Sequence, residues 1–200
     1  MLLIFATQYD DVTEQTSAIA RHLLLCAADS GIPAQPLFGE LAVQDELLVA
    51  LTRSPTVIAF YGHGDEQGRI LTQDREPCWA DDNIPTLRGV SVYAHACRAL
   101  KWLSDQASQH QAHLLVGYYV DLKIPCDGST RFWEVYREIH SFVPHHLAQN
   151  ARNEEIRRDF YDLCTLYFHE LNGPFAPLME VIAVQESRDR LTFRCPGEPD

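Results

Sequence analysis

Val57-Ile58-Ala59-Phe60-Tyr61-Gly62-His63-Gly64-Asp65 and, further on, Val90-Ser91-Val92-Tyr93-Ala94-His95-Ala96-Cys97-Arg98-Ala99 are the two stretches around which the chain is organised. Each is an apolar run rich in β-branched and aromatic residues, the composition of a buried strand. Each stops at a residue capable of chemistry. The first delivers His63 between two glycines, and the second delivers Cys97 just before a helical pattern begins. Functional groups of parallel sheets collect at the carboxyl ends of the strands. Two neighbouring strands ending in His and Cys therefore place an imidazole and a thiol at one edge, the minimum equipment for nucleophilic catalysis by cysteine.

Upstream of these stretches, Leu2–Ala6 reads as a short, fully buried strand. Asp10, Asp11 and Thr13 are helix-start residues, and Ile19, Leu23 and Cys26 follow at i, i+4, i+7. Gly31 and Pro33 end that helix, Ala34–Phe38 forms a weaker strand, and Leu41, Leu47, Leu48 and Leu51 suit a second helix that stops before Pro55. This β-α-β-α-β opening predicts an α/β fold with a mainly parallel central sheet and helices on both faces. Residues 65–88 carry Gly68, Ile70-Leu71, Pro77, Asp81, Asp82 and Pro85, which predicts a small hairpin and a loop beside the site. Leu100, Leu103 and Ala107 give the helix after Cys97 its buried face, and Leu114–Val120 forms the fifth strand. Phe132, Tyr136, Ile139 and Val143 then mark a helix that Pro144 ends or kinks. Ile156, Phe160, Leu163 and Tyr167 mark another, starting near Asn153 and stopped by Gly173-Pro174. Glu180–Val184 and Leu191–Phe193 read as a terminal hairpin, with a loose tail at residues 196–200. No repeat or linker divides the chain, so residues 1–200 are expected to form a single domain.

The two motifs resemble the catalytic segments of caspase-like cysteine peptidases, the clan CD superfamily of caspases, metacaspases, gingipains, legumain, separase and the bacterial CHAT proteases. Caspases carry Gln-Ala-Cys followed by Arg, Gln or Gly and then Gly, with the His about 50 residues upstream. Here His63 stands closer to Cys97, and His95 and Ala99 replace the Gln and the final Gly, so the resemblance is to the wider superfamily. Val116-Gly117-Tyr118-Tyr119-Val120-Asp121, followed by Phe132-Trp133, resembles the CHAT branch. The resemblance covers residues 1–140 and implies a caspase-like three-layer fold in which Cys97 is the nucleophile and His63 the general acid/base. It also implies an oxyanion hole from the backbone N–H groups of Gly64 and Cys97. In that family the His and Cys flank the scissile bond, and no third orienting residue is required.

The resemblance also guides substrate choice. Where the superfamily accepts Arg or Lys before the cut, carboxylates line the pocket. A metacaspase-type acid two residues before the cysteine is replaced here by His95. Asp121, Asp127 and Asp65 remain as candidate substrate-binding residues, in that order, because a carboxylate makes a bidentate, charge-assisted pair with a guanidinium. Cleavage after a basic residue is the resulting expectation, and a cap on the following loop is the plain alternative for Asp121. No long processing linker separates the cysteine strand from the fifth strand. The expectation is therefore control in trans by an activating protein partner or an oligomer, and the CHAT likeness suggests a bacterial defence or stress setting. The rival reading is a non-catalytic caspase-like scaffold or recruitment module.

Composition sets bounds on both readings. A 46% hydrophobic and 22% charged chain is ordinary for a globular domain. The net charge of −12 argues against a nucleic-acid partner. No apolar run reaches the about 18 residues of a membrane span, and Met1 leads into a strand without a basic n-region, so a cytoplasmic protein with no membrane partner is expected. Cys26, Cys78, Cys97, Cys126, Cys164 and Cys195 form no CxxC pair and are expected as free, mostly buried thiols. The chemistry needs a protein substrate and no cofactor. His95 shares the side of the strand that Cys97 occupies, as base, zinc partner or packing. Zinc sites take about four ligands, and His63, His95 and Cys97 supply three at most. Gly62–Gly68 lacks the GxGxxG spacing and a Walker lysine, so it is no phosphate loop.

Overall fold

The structure, a computed structural model, describes residues 1–79, 87–110, 112–125, 127–173 and 176–195. The expectations for Asp81, Asp82, Pro85, Cys126, Pro174, the side chain of Ala107 and the tail at 196–200 lie outside the described residues.

Among the described residues six strands and six α-helices follow one another: β1 (Leu2–Ala6), α1 (Asp11–Asp29), β2 (Ala34–Phe38), a 3₁₀ turn (Gly39–Leu41), α2 (Gln44–Leu51), β3 (Val57–Tyr61), β4 (Ser91–His95), α3 (Ala99–His110), β5 (Leu114–Gly117), α4 (Thr130–Ala148), α5 (Asn153–Leu171), α6 (Leu178–Arg190) and β6 (Thr192–Arg194). They form one sheet in the order β2-β1-β3-β4-β5-β6, parallel throughout except for β6, which runs antiparallel beside β5. The expected α/β architecture with a mainly parallel sheet is therefore present.

Alternation along the strands feeds two cores. Leu2, Ile4, Ala6, Val57, Ala59, Tyr61 and Tyr93 pack on α1, α4, α5 and α6. Leu3, Phe5, Ile58, Phe60, Val92 and Ala94 pack on α2, α3 and the 70–79 loop. Burial on both faces is why these strands read as unbroken apolar runs. Pro36, which cannot donate to a ladder, sits in the edge strand β2. Between β3 and β4, bridges Gly64↔Ile70 and Leu71↔Pro77 form the expected small hairpin.

Three expectations are corrected. Of the two expectations for Pro144, an end to the helix is overturned, because α4 runs on to Ala148. The His140 carbonyl, which Pro144 deprives of its usual amide partner, accepts the Tyr61 hydroxyl at 2.9 Å instead. Glu180–Val184 is not a hairpin strand but the start of α6, whose buried Glu180, Ala183, Val184 and Ser187 recur at helical spacing. Glu180 accepts Ser129 N–H and Ser129 Oγ–H, which ties α6 to the start of α4, and only the last strand, β6, is extended. The fifth strand stops at Gly117 and not at Val120. Beyond it, the Tyr118 and Val120 carbonyls accept Leu100 N–H and Arg98 N–H, each at 3.0 Å. Those are donors at the start of α3 that its own turns leave unpaired, and they draw the chain away from the sheet and over Cys97.

Among the described residues no helix is long and apolar enough to cross a membrane. Of the described cysteines, Cys78 and Cys164 are buried, and Cys26, Cys97 and Cys195 are half-buried rather than inside the core.

Candidate active site

Strand order 2-1-3-4-5 has its topological switch between β1 and β3, the place where open α/β sheets form a crevice beyond their carboxyl ends. The chain after β1 supplies Asp10, the chain after β3 supplies His63 and Gly64, the chain after β4 supplies Cys97, and the chain after β5 supplies Asp121 and Leu122. All of them meet at this one edge.

Asp10 is the N-cap of α1, in a capping box in which its carboxylate accepts Thr13 N–H at 2.8 Å. The other carboxylate oxygen, Oδ2, lies 2.8 Å from His63 Nε2. Burial works against the charge on Asp10, but the Thr13 amide, the His63 ring and the Thr13 hydroxyl together hold its carboxyl below the usual range. Tyr9 stacks beside the same imidazole at 5.7 Å between ring centroids. An orienting partner for His63 is therefore present where the sequence reading named none. The available signal was topological, since β1 and β3 are adjacent parallel strands and their following residues must be neighbours.

Gly64 lies directly on the cysteine segment. A Cβ placed on it would stand 1.9 Å from the Cys97 carbonyl oxygen. Gly68, at φ +87°, similarly lies on Arg98, where a Cβ would stand 2.3 Å from the Arg98 carbonyl oxygen. Both glycines serve the close approach of two backbones. Gly64 occupies the non-hydrogen-bonded position of its bridge, because the flanking bonds are Leu71 N–H to His63 O and Asp65 N–H to Arg69 O. No backbone carbonyl of the described residues accepts the N–H of Gly64 or Cys97.

The Cys97 sulfur accepts Leu122 N–H at 3.3 Å. Burial pushes this thiol up, the Leu122 amide pulls it down, Asp121 pushes it up and Arg98 pulls it down, and the balance lies above the ordinary value. No hydrogen bond joins His63 to Cys97; the ring is held by Asp10 and the sulfur by Leu122.

The candidate pocket acids differ in what already engages them. Asp65 accepts Gln67 N–H and Arg69 N–H and pairs with Arg69 Nε at 2.7 Å, so its carboxylate is engaged within its own turn. Asp121 Oδ2 pairs with Arg98 Nη2 at 2.5 Å, with the aspartate side chain 54% exposed. Asp127 is exposed and has no ion-pair partner among the described residues.

His95 is packing, not base or ligand. It is wholly buried among Tyr61, Tyr118, Tyr136 and His140, with Nε2 3.2 Å from the Tyr136 hydroxyl. Desolvation lowers its pKa from 6.5 to about 3. His140 beside it is lowered too, by desolvation and then by His95. It is held neutral in a chain in which Tyr93 O–H donates to Nδ1, Nε2–H donates to Ser187 Oγ, and Ser187 O–H donates to the Ala183 carbonyl. Among the described residues, no three or more His, Cys, Asp or Glu side chains gather to hold a metal ion.

These buried histidines make stability depend on pH. Their folded pKa values lie below the unfolded value, so the unfolded chain binds more protons between the two. The stability they contribute is full above about pH 6.5 and is lost as pH falls through the lowered folded values, about 3 for His95, on the order of 1 kcal/mol per pH unit for each proton taken up. Urea midpoints should fall steadily from about pH 6.5 to pH 5, before carboxylates titrate, and His95→Phe should flatten the slope. A flat wild-type profile in that window would refute the assignment.

No protein-family model matches the chain, and no curated protein matches it. Among solved structures it is similar to a secreted C11 cysteine protease from Bacteroides thetaiotaomicron, crystallised with an irreversible peptide inhibitor. The likeness has a TM-score of 0.52 at 12% identity and covers 88% of this chain and 61% of that one. The shared fold is caspase-like. The chain spans less than two thirds of the length of that protease.

Proposed function

We propose that the chain is a cysteine endopeptidase working through Cys97 and His63. The observation that carries this is the seating of Gly64 on the Cys97 backbone. It brings the histidine loop and the cysteine loop together, each with an N–H group that no backbone carbonyl among the described residues accepts. The caspase-like fold supports the reading.

In the proposed reaction the Cys97 thiolate attacks the peptide carbonyl, an S–C bond forms, and the oxygen becomes an oxyanion. Gly64 N–H and Cys97 N–H stabilise that charge. The C–N bond breaks as protonated His63 gives its proton to the leaving amine. Water then gives a proton to the now neutral His63 and attacks the thioester carbon, the S–C bond breaks, and the acid product leaves with the thiolate and the protonated His63 both restored. Asp10 keeps the His63 ring in place through the 2.8 Å contact to Nε2.

The resting thiol sits above its ordinary pKa, which suits a site held back until something acts on it. Activation in trans by a partner or a second copy accords with that, and with the fact that helix α3, not a processing linker, leads from β4 toward β5. A CHAT-type role in bacterial defence belongs to the same proposal.

For the residue before the cut we retain a basic preference. The Arg98 pairing of Asp121 moves Asp127 ahead as the carboxylate that receives an incoming guanidinium. Cleavage-site profiling in a proteome-derived peptide mixture should give cuts after Arg or Lys that weaken in Asp127→Ala. Cuts clustered after Asp or small apolar residues would refute the preference, and no cuts with any partner or peptide would return the scaffold reading.

A further inference from the structure

We infer that the Arg98–Asp121 ion pair is a latch that holds the Leu122 N–H on the Cys97 sulfur, which makes both residues positioning residues for the nucleophile. The inference takes its purpose from the reading of Cys97 as the nucleophile, but it concerns the thiol itself.

Leu122 belongs to no strand or helix, so no regular ladder fixes its amide. Arg98 grips the two residues just before it. Its N–H donates to the Val120 carbonyl at 3.0 Å, and its guanidinium pairs with Asp121 at 2.5 Å. Arg98 itself is held in the left-handed region at φ +56°, a conformation that disfavours a residue with a side chain. Three contacts hold it there: the bond to Val120, the Lys101 N–H on its carbonyl, and Gly68 packed against the same carbonyl. A non-glycine residue kept in this region by surrounding structure is a common feature of functional loops. Here it points the Arg98 backbone and side chain at the same neighbouring segment, one residue on from the sulfur that the segment's next amide meets.

Charge alone makes the opposite forecast for one of the two residues. Asp121 is an anion near the thiol and opposes its ionisation, whereas Arg98 favours it. The other groups facing this pair are the Tyr136 hydroxyl from α4, near Cys97, and Glu66, near Arg98. If the pair acted only as two charges, removing Asp121 would make the thiol more acidic, removing Arg98 would make it less acidic, and the double removal would nearly cancel. A latch forecasts one sign throughout, because either loss frees Leu122, and the second loss adds little to the first.

The test is the pH dependence of iodoacetamide alkylation at Cys97, read by peptide mass so that the other cysteines do not interfere. It is run on the full chain as wild type, Asp121→Ala, Arg98→Ala, the double variant and Arg98→Lys, with thermal midpoints as a check on folding. Asp121→Ala is expected to raise the apparent thiol pKa by about one unit and to slow alkylation at neutral pH about tenfold. Arg98→Ala and the double variant should match it, and Arg98→Lys should recover much of the rate. A faster or unchanged Asp121→Ala, or effects that cancel in the double variant, would overturn the latch. Alkylation reports on the thiol whether or not any peptide is cut, so failure of the peptidase reading is seen separately.

Discussion

Cys97→Ala is expected to abolish peptide cleavage, lowering kcat by about four to six orders of magnitude, because no other group in the site can form the S–C bond. His63→Ala should fall in the same range, since the two act as a unit and removing either stops the same sequence of proton and acyl transfers. Asp10→Asn is a graded case. It keeps the size of the side chain and a bond to the ring but removes the charge that lies 2.8 Å from His63 Nε2. A fall in kcat of about 10- to 100-fold with KM little changed is expected, the signature of a misplaced imidazole. Asp10 and His63 are both partly exposed, so their pairing adds little to stability and the folded state should survive each change. Full activity of Cys97→Ala on peptides cut by the wild type would remove the proposed mechanism altogether.

Gly64→Ala is expected to be nearly as damaging by a different route. A methyl group 1.9 Å from the Cys97 carbonyl oxygen intrudes far inside the about 3.5 Å of ordinary contact, and what it meets is backbone, not a flexible side chain. The histidine loop and the cysteine loop must separate, which costs about 1–3 kcal/mol and shifts both N–H groups of the proposed oxyanion hole. Activity should fall by about 100-fold or more in the fraction that remains folded, since a displacement of about 1 Å at a reacting centre is enough for that. Gly173→Ala is the control: nothing lies within 4 Å of its added methyl group, and stability should stay within about 0.5 kcal/mol of wild type. Equal melting curves and activities for the two variants would show that the loops are not packed as described.

The elements whose burial is set by their own residues were legible from the chain. Leu2–Ala6 and Val57–Tyr61 are continuous apolar runs because both faces of the sheet are covered. The helix from Asp11 was announced by its cap, and Phe132, Tyr136, Ile139 and Val143 by their spacing. Glu180–Val184 misled because a short apolar run with two valines fits a strand or a buried helix equally. The choice went to the helix through partners far off in sequence, Ser129 for Glu180 and His140 for Ser187. Pro144 misled in the same way, because the group that relieves it is Tyr61, on the third strand.

Which functional groups end which strands can be read from the chain alone: His63 and Gly64 after one, Cys97 after another, Asp121 beyond a third. Hydrophobic periodicity and the chemistry of single residues are local properties, and they suffice for that. What each group touches is set by the folded arrangement. It placed a helix cap, Asp10, against His63 and turned His95 into an aromatic core. It also spent Asp65 on Arg69 and Asp121 on Arg98, and set the Leu122 amide on the Cys97 sulfur. Those pairings join residues 53, 41, 4, 23 and 25 positions apart. All but the shortest follow from strand order and the packing of loops, because hydrogen bonds and ion pairs act over a few ångströms of space, whatever the distance along the chain.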